Sequence, residues 1–353
     1  MVAATDVINI LVVDDSVFVR KVVSGFFAGD ERIKIAAEAK NGRDALDKVK
    51  LTKFDLVLTD FEMPEMNGEE FLLALRSESS ITEKPPVMVF SSFTSAGSKA
   101  TVACLLAGAR DYIQKPSRDL NDLSEGVSTK EILRKKIIEI VESERSRRMK
   151  FQQPRVTKTV VDKVVTLRNP GIVVIGSSTG GPSALEKVLM DIPASFRLPI
   201  LIVQHMPEHF TKIMAESLTK KVPLNVIEVT SETKIEPGNI YLCGGGEHMV
   251  LDEKGFLQTA GKEPRNFCVP SVNVLFESVA KHYKKGVISV MLTGMGSDGK
   301  DGVQALKDSL HCFSIVQDEA TAVVWSMPRA VHEAGCSDVV LPLDEIGRVI
   351  ANV

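Results

Sequence analysis

The stretch Ile172-Val173-Val174-Ile175-Gly176-Ser177-Ser178-Thr179-Gly180-Gly181 decides how the larger part of the chain is read. A short, continuous apolar run of this kind predicts a buried strand of a parallel sheet. The run stops at Gly176, and Pro182 opens an amphipathic stretch through Met190, with proline where a first helical turn tolerates it. Ser178 is therefore expected on a tight strand-to-helix turn, at the carboxyl end of a strand where open α/β sheets bind ligands. The spacing Gly176-x-Ser178-x-Gly180 fits a nucleophile elbow, in which glycines permit a strained turn that holds a serine hydroxyl clear of the backbone. Gly176 to Gly181 also has the glycine spacing of a phosphate-binding loop, but Pro182-Ser183 stands where that loop needs its lysine. The dinucleotide fingerprint fails for want of a Gly-x-Gly pair. On this motif alone, a Gly-rich structural turn carrying a surface serine remains open.

Working outward, Pro199 to Gln204 predicts a strand, Phe210 to Thr219 a helix and Asn225 to Val229 a strand. Ile240 to Cys243 and His248 to Leu251, with the turn Asp252-Glu253-Lys254-Gly255, predict an antiparallel hairpin region. Ser271 to Tyr283 reads as a helix, and Val287 to Leu292 as a strand running into Thr293-Gly294-Met295-Gly296-Ser297-Asp298-Gly299. A serine nucleophile needs a base, itself oriented by a carboxylate. All 6 histidines lie in this half, and only His205 directly ends a buried strand pattern. His205 and His209 have the spacing of a helical metal pair, but Pro207 intervenes and no third ligand is evident. Asp298 follows a strand at the same edge; taken alone it would be read as the N-cap of a helix from Gly299 to Asp308. The order Ser-His-Asp differs from the Ser-Asp-His order of α/β-hydrolases, and suits an independent version of the same geometry.

The first half alternates as well. Strands are expected at Ile8 to Val13, Ile33 to Glu38, Leu56 to Thr59, Val87 to Phe90 and Asp111 to Ile113, with helices between them. Ser128 and Glu131 form a capping box ahead of a last helix striped by Leu133, Ile137, Ile140 and Val141. This is the pattern of a doubly wound parallel sheet. Asp14 and Asp15 end the first strand, Asp60 the third and Ser91 the fourth, while Lys115 follows the fifth. Three carboxylates meeting at one sheet edge favour a hard divalent cation such as Mg²⁺.

Size and charge bound the rest. At 353 residues, two domains are expected, and 44% hydrophobic with 25% charged residues is ordinary for globular protein. A net charge of -3 offers no footprint for nucleic acid. Neither a secretory signal nor an apolar run of membrane-spanning length is read from the sequence. The 5 dispersed cysteines, without a Cys-x-x-Cys, suggest reduced thiols in a cytoplasmic protein. Ser143 to Asn169, with its run Arg145-Ser146-Arg147-Arg148-Met149-Lys150, reads as a basic interdomain linker.

Roughly the first 125 residues resemble the receiver domain of bacterial response regulators. The motifs are Leu11-Val12-Val13-Asp14-Asp15-Ser16, Asp60-Phe61-Glu62-Met63-Pro64-x-Met66-x-Gly68, Ser91-Ser92 and Asp111-Tyr112-Ile113-x-Lys115-Pro116. The resemblance implies a flavodoxin-like fold in which Asp60 accepts a phosphoryl group from a CheA-type histidine kinase. It further implies Mg²⁺ held by Asp15, Asp60 and the Glu62 carbonyl with Asp14 in support, and Ser91, Tyr112 and Lys115 as the switch. From about Pro170 onward the chain resembles the catalytic domain of the CheB family, protein-glutamate methylesterases and glutamine deamidases of chemotaxis. The matching residues are Ile175 to Gly181, Gln204-His205-Met206-Pro207, Leu292 to Gly299, Pro270-Ser271-Val272, Gln317 to Thr321 and Met327-Pro328. By this likeness Ser178 is nucleophile, His205 base, Asp298 its orienter and the Met295 N–H the oxyanion donor with Thr179 nearby, and no cofactor serves the esterase reaction. Asn273, Ser326 and Arg265-Asn266-Phe267-Cys268 depart from the family's usual residues. The implied domains are 1–125 receiver, 126–169 terminal helix and linker, and 170–353 methylesterase. The implied partners are methyl-accepting chemotaxis proteins and the kinase, with neither nucleic acid nor direct membrane insertion. Phosphorylation is expected to release an occluded esterase whose rate falls as pH drops through roughly 6–7, where an ordinary histidine protonates. A phospho-switched binding protein without turnover, or a nucleotide-binding output domain, are the competing readings.

Overall fold

Short runs of buried aliphatic residues alternate with amphipathic stretches, and each run becomes a strand that the next stretch covers. The computed structural model describes residues 7–91, 95–115, 129–149 and 170–353, and the chain divides into two units, Met1–Ser146 and Arg147–Val353. In the first unit the order is β1 (Ile8–Val13), α1 (Val17–Phe26), β2 (Ile33–Ala39), α2 (Gly42–Leu51), β3 (Leu56–Asp60) and α3 (Gly68–Ser77). It continues with β4 (Val87–Ser91), α4 (Ser95–Leu106), β5 (Asp111–Gln114) and α5 (Thr129–Met149), which crosses the division after Ser146. The strands form one parallel sheet in the order β2-β1-β3-β4-β5. Ser16 caps α1 through the Val19 N–H, and Asn67 with Glu70 forms a complete capping box on α3.

Helix α5 corrects the linker reading. Its stripe Leu133, Ile137, Ile140 and Val141 is buried as expected, but the helix does not fade at Ser143; it runs to Met149. The apolar stripe ends early, and polar ties take over. Glu144 pairs with Arg110 at 2.8 Å, while Arg145 donates to Val7 O at 3.0 Å and to Asp55 at 2.9 Å. The Ser128 half of the expected capping box, Ser92, Pro116 and the remainder of the linker lie outside the described residues.

The second unit runs β6 (Pro170–Ser177), α6 (Gly181–Met190), β7 (Ile200–Gln204), α7 (Glu208–Thr219), β8 (Asn225–Val229), β9 (Thr233–Lys234) and β10 (Asn239–Cys243). Then come β11 (Met249–Leu251), β12 (Phe256–Thr259), α8 (Val272–His282), β13 (Gly286–Met291), α9 (Lys300–Ser309), β14 (Cys312–Gln317), α10 (Ser326–Glu333), β15 (Val339–Leu341) and α11 (Leu343–Ala351). Seven strands make a parallel sheet in the order β15-β14-β13-β6-β7-β10-β8. Ile172 to Ile175 on β6 have no exposed surface, each such side chain stabilising the fold by about 1.5–3 kcal/mol. Two expectations shift here. Strand β6 continues past Gly176 because Ser177 pairs with Gln204 on β7. Ile240 to Cys243 do not join the hairpin; as β10 they pair parallel with β7 and β8. The antiparallel hairpin is β11 with β12 across the Asp252 to Gly255 turn, and β12 also pairs with β9. The chain leaves β6 toward β7 on one side and returns to β13 on the other. The carboxyl ends of β13, β6 and β7 therefore flank the point where the winding reverses.

Candidate active site

Three neighbouring strand ends deliver the three expected side chains. Ser178 follows β6 and His205 follows β7, each one residue beyond the paired Ser177 and Gln204. Asp298 closes the loop after β13. The His205 N–H donates to Ser177 O at 3.1 Å and the Ser178 N–H to Thr293 O at 3.0 Å, so the backbone itself stitches these ends together. Buried Gln204 adds a side-chain clamp: it accepts from Ser177 Oγ at 2.7 Å, and its amide donates to Ser178 O at 3.0 Å and His205 O at 3.1 Å. Gly180 takes a left-handed φ of 76° that lets the chain turn into α6. Gly294 leaves room for Ser178, since a Cβ there would stand 2.8 Å from Ser178 Cβ.

Asp298 is 2% exposed and fully engaged. Oδ1 accepts from Ser271 Oγ at 2.8 Å and Asn273 N at 3.1 Å; Oδ2 accepts from Val272 N at 2.7 Å and lies 2.8 Å from His205 Nε2. It does not cap its own helix: α9 has Gly299 at its N-cap with no side-chain bond. Instead Asp298 caps α8, and Asn273 of α8 caps α9 in return, accepting from Gly299 N at 2.9 Å and Gly302 N at 2.7 Å. This exchange locks the two helix starts to one another and fixes the carboxylate that faces His205.

An ionised carboxylate only accepts, so His205 Nε2 carries the hydrogen and Nδ1 holds the lone pair of the neutral ring. Burial opposes the charge on Asp298, but the bonds from His205, Ser271 and Val272 outweigh it and hold its pKa below the ordinary value. Burial likewise opposes protonation of His205, yet Asp298 and the Cys268 thiol, 3.7 Å from Nδ1, push its pKa up to about 9. These partners favour the imidazolium, so a pH limb set by His205 is expected above the roughly 6–7 of an ordinary histidine. Among the described residues, no hydrogen bond engages Ser178 Oγ or the Met295 N–H. Thr179 is buried beside Ser178, its carbonyl accepting from Thr293 Oγ1 at 2.9 Å.

At the sheet edge of the first unit, the donor atoms of Asp14, Asp15 and Asp60 lie within 4.8 Å of one another, a set suited to a hard divalent cation. Lys115 bridges Asp14 at 2.8 Å and Asp60 at 2.7 Å. Burial and the neighbouring Asp14 raise the Asp60 pKa despite Lys115. Burial works against the lysine's charge, but the two carboxylates outweigh it and raise the Lys115 pKa. Ser91 accepts from Thr101 Oγ1 at 2.6 Å, Lys136 lies 5.4 Å from the centre of the Tyr112 ring, and Glu62 is exposed in the loop after β3.

The family profile described as CheB methylesterase matches residues 173–350, and that of the response regulator receiver domain matches residues 10–128. The chain belongs to the CheB methylesterase family. A protein-glutamate methylesterase/protein-glutamine glutaminase of Trichodesmium erythraeum (strain IMS101) is 37% identical over 97% of this chain and 97% of its own length. One of Nocardioides sp. is 38% identical over 96% of this chain and 93% of its own. The solved catalytic domain of Thermotoga maritima CheB methylesterase is 37% identical, covering 52% of this chain and 99% of its own, with a TM-score of 0.49.

In this CheB family member, the sequence reading placed Ser178, His205 and Asp298 at one edge but missed what surrounds them. Ser271, Val272 and Asn273 supply the donors that saturate Asp298, and nothing in their spacing to it along the chain announces this. Cys268 was noted only as a departure from the family pattern, whereas its thiol is the group facing His205 Nδ1. His209, the other half of the discounted metal pair, is exposed on α7.

Proposed function

We infer that this chain is a phosphorylation-regulated serine hydrolase that demethylates glutamate methyl esters, and deamidates glutamines, on the cytoplasmic domains of chemoreceptors. The observation that carries this reading is the His205–Asp298 pair at 2.8 Å beside the strand end bearing Ser178. Ser178 Oγ attacks the side-chain carbonyl while His205 Nδ1 takes its proton. The imidazolium, steadied by Asp298, returns that proton to the departing methoxide, or to the departing amide nitrogen of a glutamine, which leaves as ammonia. The Met295 N–H donates to the tetrahedral oxyanion, with Thr179 nearby, a contact of a kind worth about 10²–10³ in rate. Water, deprotonated by His205, then attacks the acyl group and frees Ser178.

In the receiver, Asp60 accepts the phosphoryl group from a CheA-type kinase. Asp15, Asp60, the Glu62 carbonyl and Asp14 are the groups that would hold Mg²⁺, which supplies positive charge to offset the incoming anion. Lys115 pairs with the phosphoryl oxygens, Ser91 contacts them and Tyr112 changes rotamer, which relieves restraint on the esterase. The functional division is 1–125 receiver, 126–169 helix and linker, and 170–353 methylesterase, acting in the cytoplasm without a cofactor at the esterase site. Among the described residues, no helix is long and apolar enough to cross a membrane. The deciding assay is methanol release from a methylated receptor domain, with and without a small phosphodonor and Mg²⁺. Release that the phosphodonor increases supports the reading; none under either condition leaves a phospho-switched binding protein.

A further inference from the structure

The carboxylate on Nε2 leaves His205 a single lone pair, and the side chain it meets is a thiol. Cys268 Sγ stands 3.7 Å from His205 Nδ1 and 3.4 Å from Asn266 O. We propose that His205 Nδ1 and Cys268 Sγ form a reversible site for a soft divalent cation of the zinc class, and that filling it silences the esterase by occupying its base.

Three features support the site. The donors suit the metal: a thiolate and a neutral imidazole are the ligands zinc selects. The spacing suits it too, because ligands about 2.3 Å (sulfur) and 2.0–2.1 Å (nitrogen) from a tetrahedral ion stand roughly 3.5 Å apart. The tautomer is already set, since a ligating histidine characteristically donates its other N–H to a carboxylate, as Nε2 does to Asp298. Donor atoms of His205, Cys268 and Asp298 all lie within 4.8 Å of one another. Asp298 has its four bonds, so it acts behind the imidazole rather than as a ligand.

The thiol is held in place and can be reached. Arg265 and Cys268 close a tight turn with two backbone bonds, at 3.2 and 3.0 Å, and Arg265 is pinned by Glu277 at 2.8 and 2.6 Å. Asn266 and Phe267 at its tip take left-handed φ values of 52° and 62°. His205 retains 14% side-chain exposure and Cys268 is partly exposed, which leaves an entry path. His248 is no competitor: its Nδ1 accepts from Ser271 N, and Nε2 bonds Glu263 O. With two protein ligands and water in the other positions, binding is reversible. It also displaces the thiol proton and, below the raised pKa of His205, the proton on Nδ1. The inhibition rests on His205 being the base; the binding does not.

The test uses the full chain with excess Mg²⁺, so that the acidic cluster of the receiver is occupied by a hard ion, and Co²⁺ as the probe. Wild type should develop a thiolate-to-cobalt charge-transfer band, Cys312→Ser should keep it, and Cys268→Ser and Cys268→Ala should lose it. In parallel, Zn²⁺ should stop methanol release reversibly, with a chelator restoring it. Each variant is compared with its own metal-free rate, and Cys268→Ser should need about tenfold more zinc or beyond, at least the loss seen for outer-shell partners. Absence of the band in wild type, its persistence in Cys268→Ser, or equal zinc sensitivity overturns the proposal. A band in wild type that releases no methanol without metal supports the site and counts against the hydrolase reading alone.

Discussion

Two buried aspartates at equivalent sheet edges have opposite environments. Asp60 in the receiver is met by Lys115 and the Phe61 N–H, beside a second carboxylate, and its pKa is raised. Asp298 in the esterase unit accepts four bonds, and its pKa is lowered. On the proposed roles, the carboxylate that accepts a phosphoryl group keeps few donors and a neighbour that resists its charge, and the one that orients His205 is saturated. Counting donors separates the two where burial does not, since both residues are buried.

That contrast can be broken at either end. The largest effect should come from the nucleophile: Ser178→Ala should lower methanol release by on the order of 10⁶, with an unchanged circular dichroism spectrum. Near-normal turnover would remove the esterase side of the comparison altogether. Asp298→Asn keeps the shape but replaces acceptors with an amide, and should lower kcat by on the order of 10⁴. A loss of only a few-fold would mean that saturating Asp298 serves the α8 start rather than His205.

On the receiver side, a phosphodonor with Mg²⁺ should raise the rate about 5–150-fold, and Asp60→Asn should abolish that rise while leaving the unstimulated rate in place. Equal stimulation of wild type and variant would show that Asp60 is not the acceptor. The pH profile sharpens the esterase half. His205 must be neutral to act, and its pKa is raised to about 9, so kcat/KM should climb as pH rises toward 9 and fall below it. A limb at 6–7 would mean that Asp298 and Cys268 do not hold the imidazolium. The smallest effect concerns the helix starts. Asn273→Ala leaves the Gly299 and Gly302 N–H groups buried without their acceptor, which should cost about 1–3 kcal/mol in a denaturant titration. No change in midpoint would mean that water or relaxation replaces the bond.

Most strands and helices were legible because their signals are local. Apolar runs such as Ile172 to Ile175 and caps such as Ser16 and Asn67 act within a few residues. The misreadings fell where a distant partner overruled the local pattern. Strand β10 looked like half of a hairpin, and β7 and β8 claimed it for the parallel sheet. The end of α5 looked like a linker until Asp55 paired with Arg145 and Arg110 with Glu144. Asp298 also read as the N-cap of its own helix, which Gly299 is instead; its carboxylate accepts from the first N–H groups of α8, a helix that begins earlier in the chain.

From the amino-acid sequence alone came the parallel architecture of both units, and the expectation that Ser178, His205, Asp298 and the receiver acids gather at strand ends. The apolar pattern and the motif glycines act over short separations, so these can be read in order. Folding in three dimensions decided which nitrogen of His205 faces Asp298, which helix Asp298 caps, and that the thiol of Cys268 lies against the remaining lone pair. Those outcomes depend on where β6, β7 and β13 bring residues from far apart in the chain. Hydrogen-bond direction and charge then act over a few ångströms of space, a separation that the order of residues does not encode.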